Sequence, residues 1–291
     1  MNITNTFITQ STKELRGFFF NKRGRQLFYA IHEPLIKRGS KQIAWLFCNA
    51  LFEEKIFSHR VTLMLARRLA ETGHLVMRFD YEGDGDSEGD FGELKDTDWQ
   101  SDIEDSAQLL YRQYIVDILG IFSLRAGALV AAAAAPRVNA QKLLFWEPVV
   151  DGATYFQEGL RANLTTQLAC FKKVIETREQ LMDNLRRGGK INLAGHEIGA
   201  ATADSLSRLR LIDLLEKAQV AVDIICLGRN RSGEFPPAWR NLVCLPKVAL
   251  HNCQSPAFWG EVRMHDDAPA ALMKLSLQLA HCNEPTQKAG A

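Results

Sequence analysis

The residues of this chain that bear most directly on chemistry are Ser123-Leu124-Arg125-Ala126-Gly127. They stand between an apolar run, Val116–Phe122, and a helix-forming run of very small residues, Ala126–Ala135. A strand that turns sharply into a helix is the setting of the G-x-S-x-G elbow, in which crowding demands small residues two places before and two places after the nucleophile. Ser123 and Gly127 meet that demand, but the apex is Arg125. A guanidinium has no nucleophilic oxygen or sulfur and stays protonated near neutral pH, so it does not attack a carbonyl. Three readings of the apex are open. Arg125 anchors an anionic ligand together with the amides at the helix start. Alternatively, it pairs structurally with an acid such as Glu147. In the third reading Ser123 acts as a displaced nucleophile.

The remaining members of a hydrolytic triad follow the elbow in the order acid, then histidine. Candidate acids are Glu234, after the strand Val220–Leu227, and Glu147, after the strand Leu143–Trp146. Either reads equally well as a surface charge or an ion-pair partner. His251 lies near the place where the histidine is expected. Next to Phe258-Trp259, however, stand Gln254 and Ser255. His59, His196, His265 and His281 have no partner at matching spacing and read as structural or exposed. The residues alone therefore do not assemble a complete triad.

The acidic turn Glu82-Gly83-Asp84-Gly85-Asp86-Ser87-Glu88-Gly89-Asp90-Phe91 invites a calcium reading, but it lacks the glutamate at position twelve of that loop pattern, so no metal is expected. Its glycines serve the turns that join a strand to the next helix. The six cysteines, Cys48, Cys170, Cys226, Cys244, Cys253 and Cys282, are scattered and read as reduced thiols. No cofactor motif is evident.

These residues require a framework to hold them. A hairpin is expected from Leu15–Phe20 and Gln26–His32. Gln42–Asn49 follows as a buried strand, and Ser58 is read as the cap of a helix through Thr72. His74–Phe79, the helix Asp96–Tyr114 and the elbow strand come next. Alternation of strands with helices over short connections specifies a mostly parallel sheet covered on both faces, an α/β fold. The alternation breaks between Val150 and Val220. Ala153–Arg187 is helical in pattern, Ile191–Gly199 is extended, and Ala201–Leu209 and Ile212–Ala218 are helical. The predicted organisation is a core over residues 15–150 and 220–282 with a helical cap over 151–219, placed where ligands bind in such sheets. Leu242–Val248 is predicted as the last strand and Ala268–His281 as the closing helix.

The run from Leu51 through Trp99 resembles the exosortase-A-system-associated hydrolase 2 group of the α/β-hydrolase superfamily. The resemblance rests on Glu53-Glu54, on Asp80 through Phe91, on Leu124-Arg125-Ala126-Gly127-Ala128, on Trp146 through Val150, on Ala194-Gly195 and on Pro256 through Trp259. It spans roughly residues 25 to 280. It implies the α/β-hydrolase fold with a cap, and a tie to bacterial polysaccharide-export and protein-sorting loci, with partner proteins of an export pathway. Independently of the resemblance, the ligand is expected at Arg125, Ala126, Leu51, Phe52, Glu53 and Glu54. The group's usual His-Gly after the third strand is Asn49-Ala50 here, so an oxyanion would have to be met by amides near Leu51 and Phe52.

The chain has 291 residues, 35 basic against 34 acidic, for a formal charge of +1. No one-sided basic surplus supports a nucleic-acid partner. The N-terminal residues lack a basic patch followed by an apolar run, and no apolar stretch reaches bilayer length, so a cytoplasmic protein without a membrane span is expected. Its ligand is read as a small acyl- or anion-bearing molecule.

Overall fold

The computed structural model describes residues 12–36, 40–193, 195–228, 235–260 and 269–281. Eight strands form one sheet in the order β1-β2-β4-β3-β5-β6-β9-β10. They are β1 (Thr12–Phe20), β2 (Gln26–Pro34), β3 (Ile43–Cys48), β4 (Leu75–Phe79), β5 (Ile118–Leu124), β6 (Lys142–Trp146), β9 (Ala221–Leu227) and β10 (Val248–Cys253). The hairpin strand β2 runs antiparallel to both β1 and β4, and every later neighbour is parallel. Parallel neighbours need crossovers, which the helices supply on both faces. Those helices are α1 (Glu53–Glu71), α2 (Asp96–Gln113), α3 (Gly127–Ala134), α7 (Leu211–Ala218) and α8 (Ala270–Ala280).

The core divides between the two faces of the sheet. Leu46, Met77, Ile121, Leu143 and Ile224 pack toward α2, α3 and α7, whereas Trp45, Phe122, Leu144, Trp146 and Ile225 pack toward α1 and α8. This is the period of two of strands buried on both sides. The alanine run lets α3 sit close to the sheet. A Cβ at Gly127 would stand 2.1 Å from the Asn49 carbonyl oxygen, so only glycine fits where α3 passes the end of β3.

Between β6 and α7 the chain makes the cap: α4 (Gly152–Phe171), α5 (Arg178–Arg186), the hairpin β7 (Ile191–Leu193) with β8 (His196–Ile198), and α6 (Ala200–Ser207). It leaves and returns through one bridge, Asp151 against Arg210, flanked by Gly152 N–H to Leu209 O and Leu211 N–H to Val150 O. Helix α7 packs on α3 with Leu211 and Leu215 buried, so by its contacts it goes with the sheet although the sequence reading grouped it with the cap.

Two local expectations differ. Helix α1 begins at Glu53, and Ser58 sits inside it, donating to the Glu54 carbonyl oxygen at 2.6 Å. Glu53 and Glu54 favour the earlier start because carboxylates suit the first turn of a helix. Leu242–Cys244 is a short 3-10 turn, and the last strand is Val248–Cys253, pairing in parallel with β9. Among the described residues no helix is long and apolar enough to cross a membrane.

Candidate functional site

The end of β5 carries the elbow. Arg125 has φ +50°, a left-handed backbone that costs a non-glycine residue about 1–3 kcal/mol and persists where its surroundings hold it. Its N–H donates to Trp146 O at 3.1 Å, and its carbonyl accepts from Val149 N–H at 3.2 Å, so β6 and the turn after it grip the bend. Phe52 (φ +59°), which precedes α1, and Glu147 (φ +39°), which follows β6, also have positive φ. Strained backbone thus gathers at the carboxyl ends of three adjacent strands.

The guanidinium of Arg125 is answered by Glu54. Nε donates to Glu54 Oε1 at 2.9 Å, and Nη1 donates to the Glu147 carbonyl oxygen at 3.3 Å. Glu54 Oε2 accepts from the Tyr155 hydroxyl on α4 at 2.9 Å, which ties the cap to the floor of the site. The guanidinium carbon lies 5.1 Å from the centre of the Trp259 ring, within cation–π range. Side-chain exposures of 18% for Arg125 and 13% for Glu54 place the pair between core and solvent. Burial pushes the Glu54 carboxyl above its usual value, and Arg125 only partly offsets it. Burial also opposes the charge on Arg125, but the charge and hydrogen bond of Glu54 outweigh it and hold the guanidinium protonated. Burial, then Glu54, drives Tyr155 well above the ordinary phenol range.

The apex therefore has an acid partner, and it is Glu54 rather than Glu147. The Glu147 carboxylate accepts from Leu227 N–H at 2.6 Å, joining β6 to β9, and only its backbone carbonyl meets Arg125. Ser123 is fully buried, and its hydroxyl donates to Cys48 O at 2.7 Å within the sheet. That geometry gives a displaced serine no approach to a substrate. His251 sits in register with the elbow row (Leu124, Trp146, Ile225, His251), but three strands away, roughly 14 Å across the sheet. Its Nε2 lies 2.7 Å from Asp223 Oδ1, and Lys142 Nζ lies 3.2 Å from Asp223 Oδ2. This pair is not brought to Arg125. Glu234 and His265 lie outside the described residues, as does Ala194. Thiols nearby are no better placed as nucleophiles: burial raises Cys48 far above its usual value, and burial with Glu147 alongside pushes Cys226 up to about 12.

Leu51 and Phe52 are buried beside the elbow, as is Ala126 at the start of α3, and Glu53 is half-buried in the first turn of α1. The Phe52 ring packs on Tyr155 (6.1 Å, nearly parallel), on Phe91 and on His196 of the cap hairpin. The acidic turn folds around an ammonium: Lys55 Nζ stands 2.8 Å from Asp80 and 3.0 Å from Asp84, and a Cβ at Gly85 would collide with both Asp80 and Lys55. Asn49, which stands for the group's usual histidine, donates to Phe79 O at 2.8 Å and Asp80 Oδ1 at 3.2 Å.

Two participants, Tyr155 and Trp259, were absent from the sequence candidates. Trp259 follows Phe258, which is buried against Trp146 and fixes the loop after β10. An aromatic pair just past the last strand was the available signal. Tyr155 carried none, because only the return of α4 over the sheet brings it to Glu54.

This strand order, with a mostly parallel eight-stranded sheet, an elbow after β5 and a cap between β6 and α7, is the α/β-hydrolase fold. No protein-family model matches the chain, and no curated protein sequence matches it. Solved structures do. The esterase Est1E from Butyrivibrio proteoclasticus, with ferulic acid bound, is 13% identical with a TM-score of 0.64, over 91% of this chain and 96% of that one. Proline iminopeptidase from Mycobacterium smegmatis is 14% identical with a TM-score of 0.59, over 93% and 98%. The α/β-hydrolase GrgF from Penicillium sp. sh18 is 13% identical with a TM-score of 0.57, over 92% and 98%. At these identities the likeness is one of fold.

Proposed function

We propose that this protein uses the α/β-hydrolase fold to bind rather than to hydrolyse, holding a small acyl ligand with a carboxylate or phosphate head beneath its cap, and that Arg125 anchors the head. One observation carries the reading: the apex of the elbow is a protonated guanidinium oriented by Glu54 at 2.9 Å. Five donors in a fixed fork suit carboxylate and phosphate, and Glu54 and the Glu147 carbonyl engage two of them. Trp259 and Tyr155 flank the fork with apolar surface. The resemblance to the exosortase-A-system-associated group suggests a cytoplasmic bacterial setting, with export-pathway proteins as partners. Hydrolysis through Ser123 is disfavoured by its burial.

Titration calorimetry with decanoate, decyl phosphate and decanol tests the reading. The wild type should bind the two anions and not the alcohol. Arg125→Ala should weaken the anions about 10- to 100-fold, the worth of charge-assisted hydrogen bonds. Equal affinity in Arg125→Ala, or equal binding of decanol, would overturn the anchor role.

A further inference from the structure

The far end of the cap holds a second feature, separate from the elbow. Helix α4 runs 20 residues, about 30 Å, away from the Asp151–Arg210 bridge. At its distal end Leu168 (49% exposed), Phe171 (58%), Val174 (41%) and Ile175 (52%) stand in solvent together. Four large apolar side chains within eight residues are an uncommon surface for a water-facing loop.

The tip is built to hold that shape. Gln167 is 8% exposed, and its side chain serves the loop from beneath. Oε1 accepts from Ile175 N–H at 2.6 Å and Glu176 N–H at 2.9 Å, while Nε2 donates to Glu176 O at 3.1 Å. Lys172 ends α4 in the left-handed conformation, with its ammonium donating to Ala169 O at 3.0 Å. Thr177 and Gln180 then start α5 with reciprocal capping bonds. The loop between the helices is thus fastened at both sides while its apolar side chains face outward.

Composition favours one occupant. Lys172 and Lys173 lie between Phe171 and Val174, and Arg178 follows; Glu176 and Glu179 are the acids of the same segment. Protein–protein contacts deplete lysine at their apolar centre, whereas apolar side chains interleaved with lysines suit the boundary of an anionic bilayer. There the lysine stems lie along acyl chains and the ammonium groups reach lipid phosphates. We propose that the distal tip of the cap, Leu168–Ile175, docks this protein on an anionic lipid surface.

Co-sedimentation with vesicles tests this on the full chain, using pure phosphatidylcholine and phosphatidylcholine mixed with phosphatidylglycerol. The wild type should sediment with the anionic vesicles and at least 10-fold less with the neutral ones. Phe171→Glu with Ile175→Glu should abolish sedimentation. Lys172→Gln with Lys173→Gln should reduce it several-fold for each lysine removed. All four positions are exposed, so circular dichroism should show each variant folded as the wild type. Absence of wild-type sedimentation, equal sedimentation on neutral vesicles, or wild-type behaviour of the double glutamate variant would overturn the proposal. So would light scattering that shows a wild-type dimer lost in that variant without any vesicle binding, since the tip would then join two copies of the chain.

Discussion

Two of the places where a cation meets a carboxylate at this sheet behave as opposites. At the elbow Arg125 meets Glu54 on strained backbone, closed over by Tyr155 and Trp259. At the edge His251 and Lys142 meet Asp223 on regular strands. At the elbow burial dominates and lifts the Glu54 carboxyl. At the edge burial also raises Asp223, but the bonds and charges of His251 and Lys142 together carry it below its usual value. The edge pair has the residue types of a catalytic His–acid couple and sits three strands from the bend. The bend has the geometry of a catalytic elbow and holds no nucleophile. Residue type and placement are both needed for that chemistry, and among the described residues these two places each supply one without the other.

The largest effect expected is on the support of the elbow. Phe258→Ala should cost about 3–5 kcal/mol by emptying the pocket against Trp146, and it should free Trp259 from Arg125. Urea unfolding measures the loss, and a cost below about 1 kcal/mol would show that the loop after β10 is held by something else. Next come the ion-pair partners. Arg125→Ala or Glu54→Ala alone should cost about 2–3 kcal/mol, because each leaves the other charge half-buried and unpaired. Arg125→Met with Glu54→Leu should recover most of that stability. Additive losses in the double variant would contradict the pairing.

The pH dependence sharpens the contrast. A raised carboxyl binds its proton more tightly in the folded state. The stability it lends is therefore full below about pH 4.3 and is lost as pH rises through the lifted Glu54 value. Asp223 has the reverse sign: its contribution is present above about pH 3.9 and fades as pH falls through its lowered value. Unfolding followed from pH 3 to pH 7 should show Glu54→Gln removing the first dependence and His251→Ala weakening the second. His251→Ala, at a partly exposed edge site, should cost the least of these variants, about 0.5–1 kcal/mol at neutral pH. A larger loss than that of Arg125→Ala would invert the comparison.

Much of the frame was legible in the sequence. The alternation of apolar runs with amphipathic ones located nearly every strand of the sheet, and small residues around Arg125 marked the bend. The partner of Arg125 was not legible, because Glu54 lies 71 positions earlier and meets it only when β3 and β5 become neighbours. Glu147 was the natural choice on sequence since it ends the adjacent strand, but its carboxylate is drawn to the Leu227 amide. The α1 start was misplaced for a related reason. Ser58 has the chemistry of a cap, yet the helix begins at two glutamates that a cap search passes over. Residues 242–248 are apolar enough for a strand, but the register with β9 selects Val248–Cys253.

On the proposed function, the elbow offers an acyl ligand a cation and no attacking group. Intact-mass measurement after incubation of the wild type with a fluorophosphonate probe tests it directly. The mass should stay unmodified, with no turnover of p-nitrophenyl esters. A single probe adduct that disappears in Ser123→Ala would contradict it.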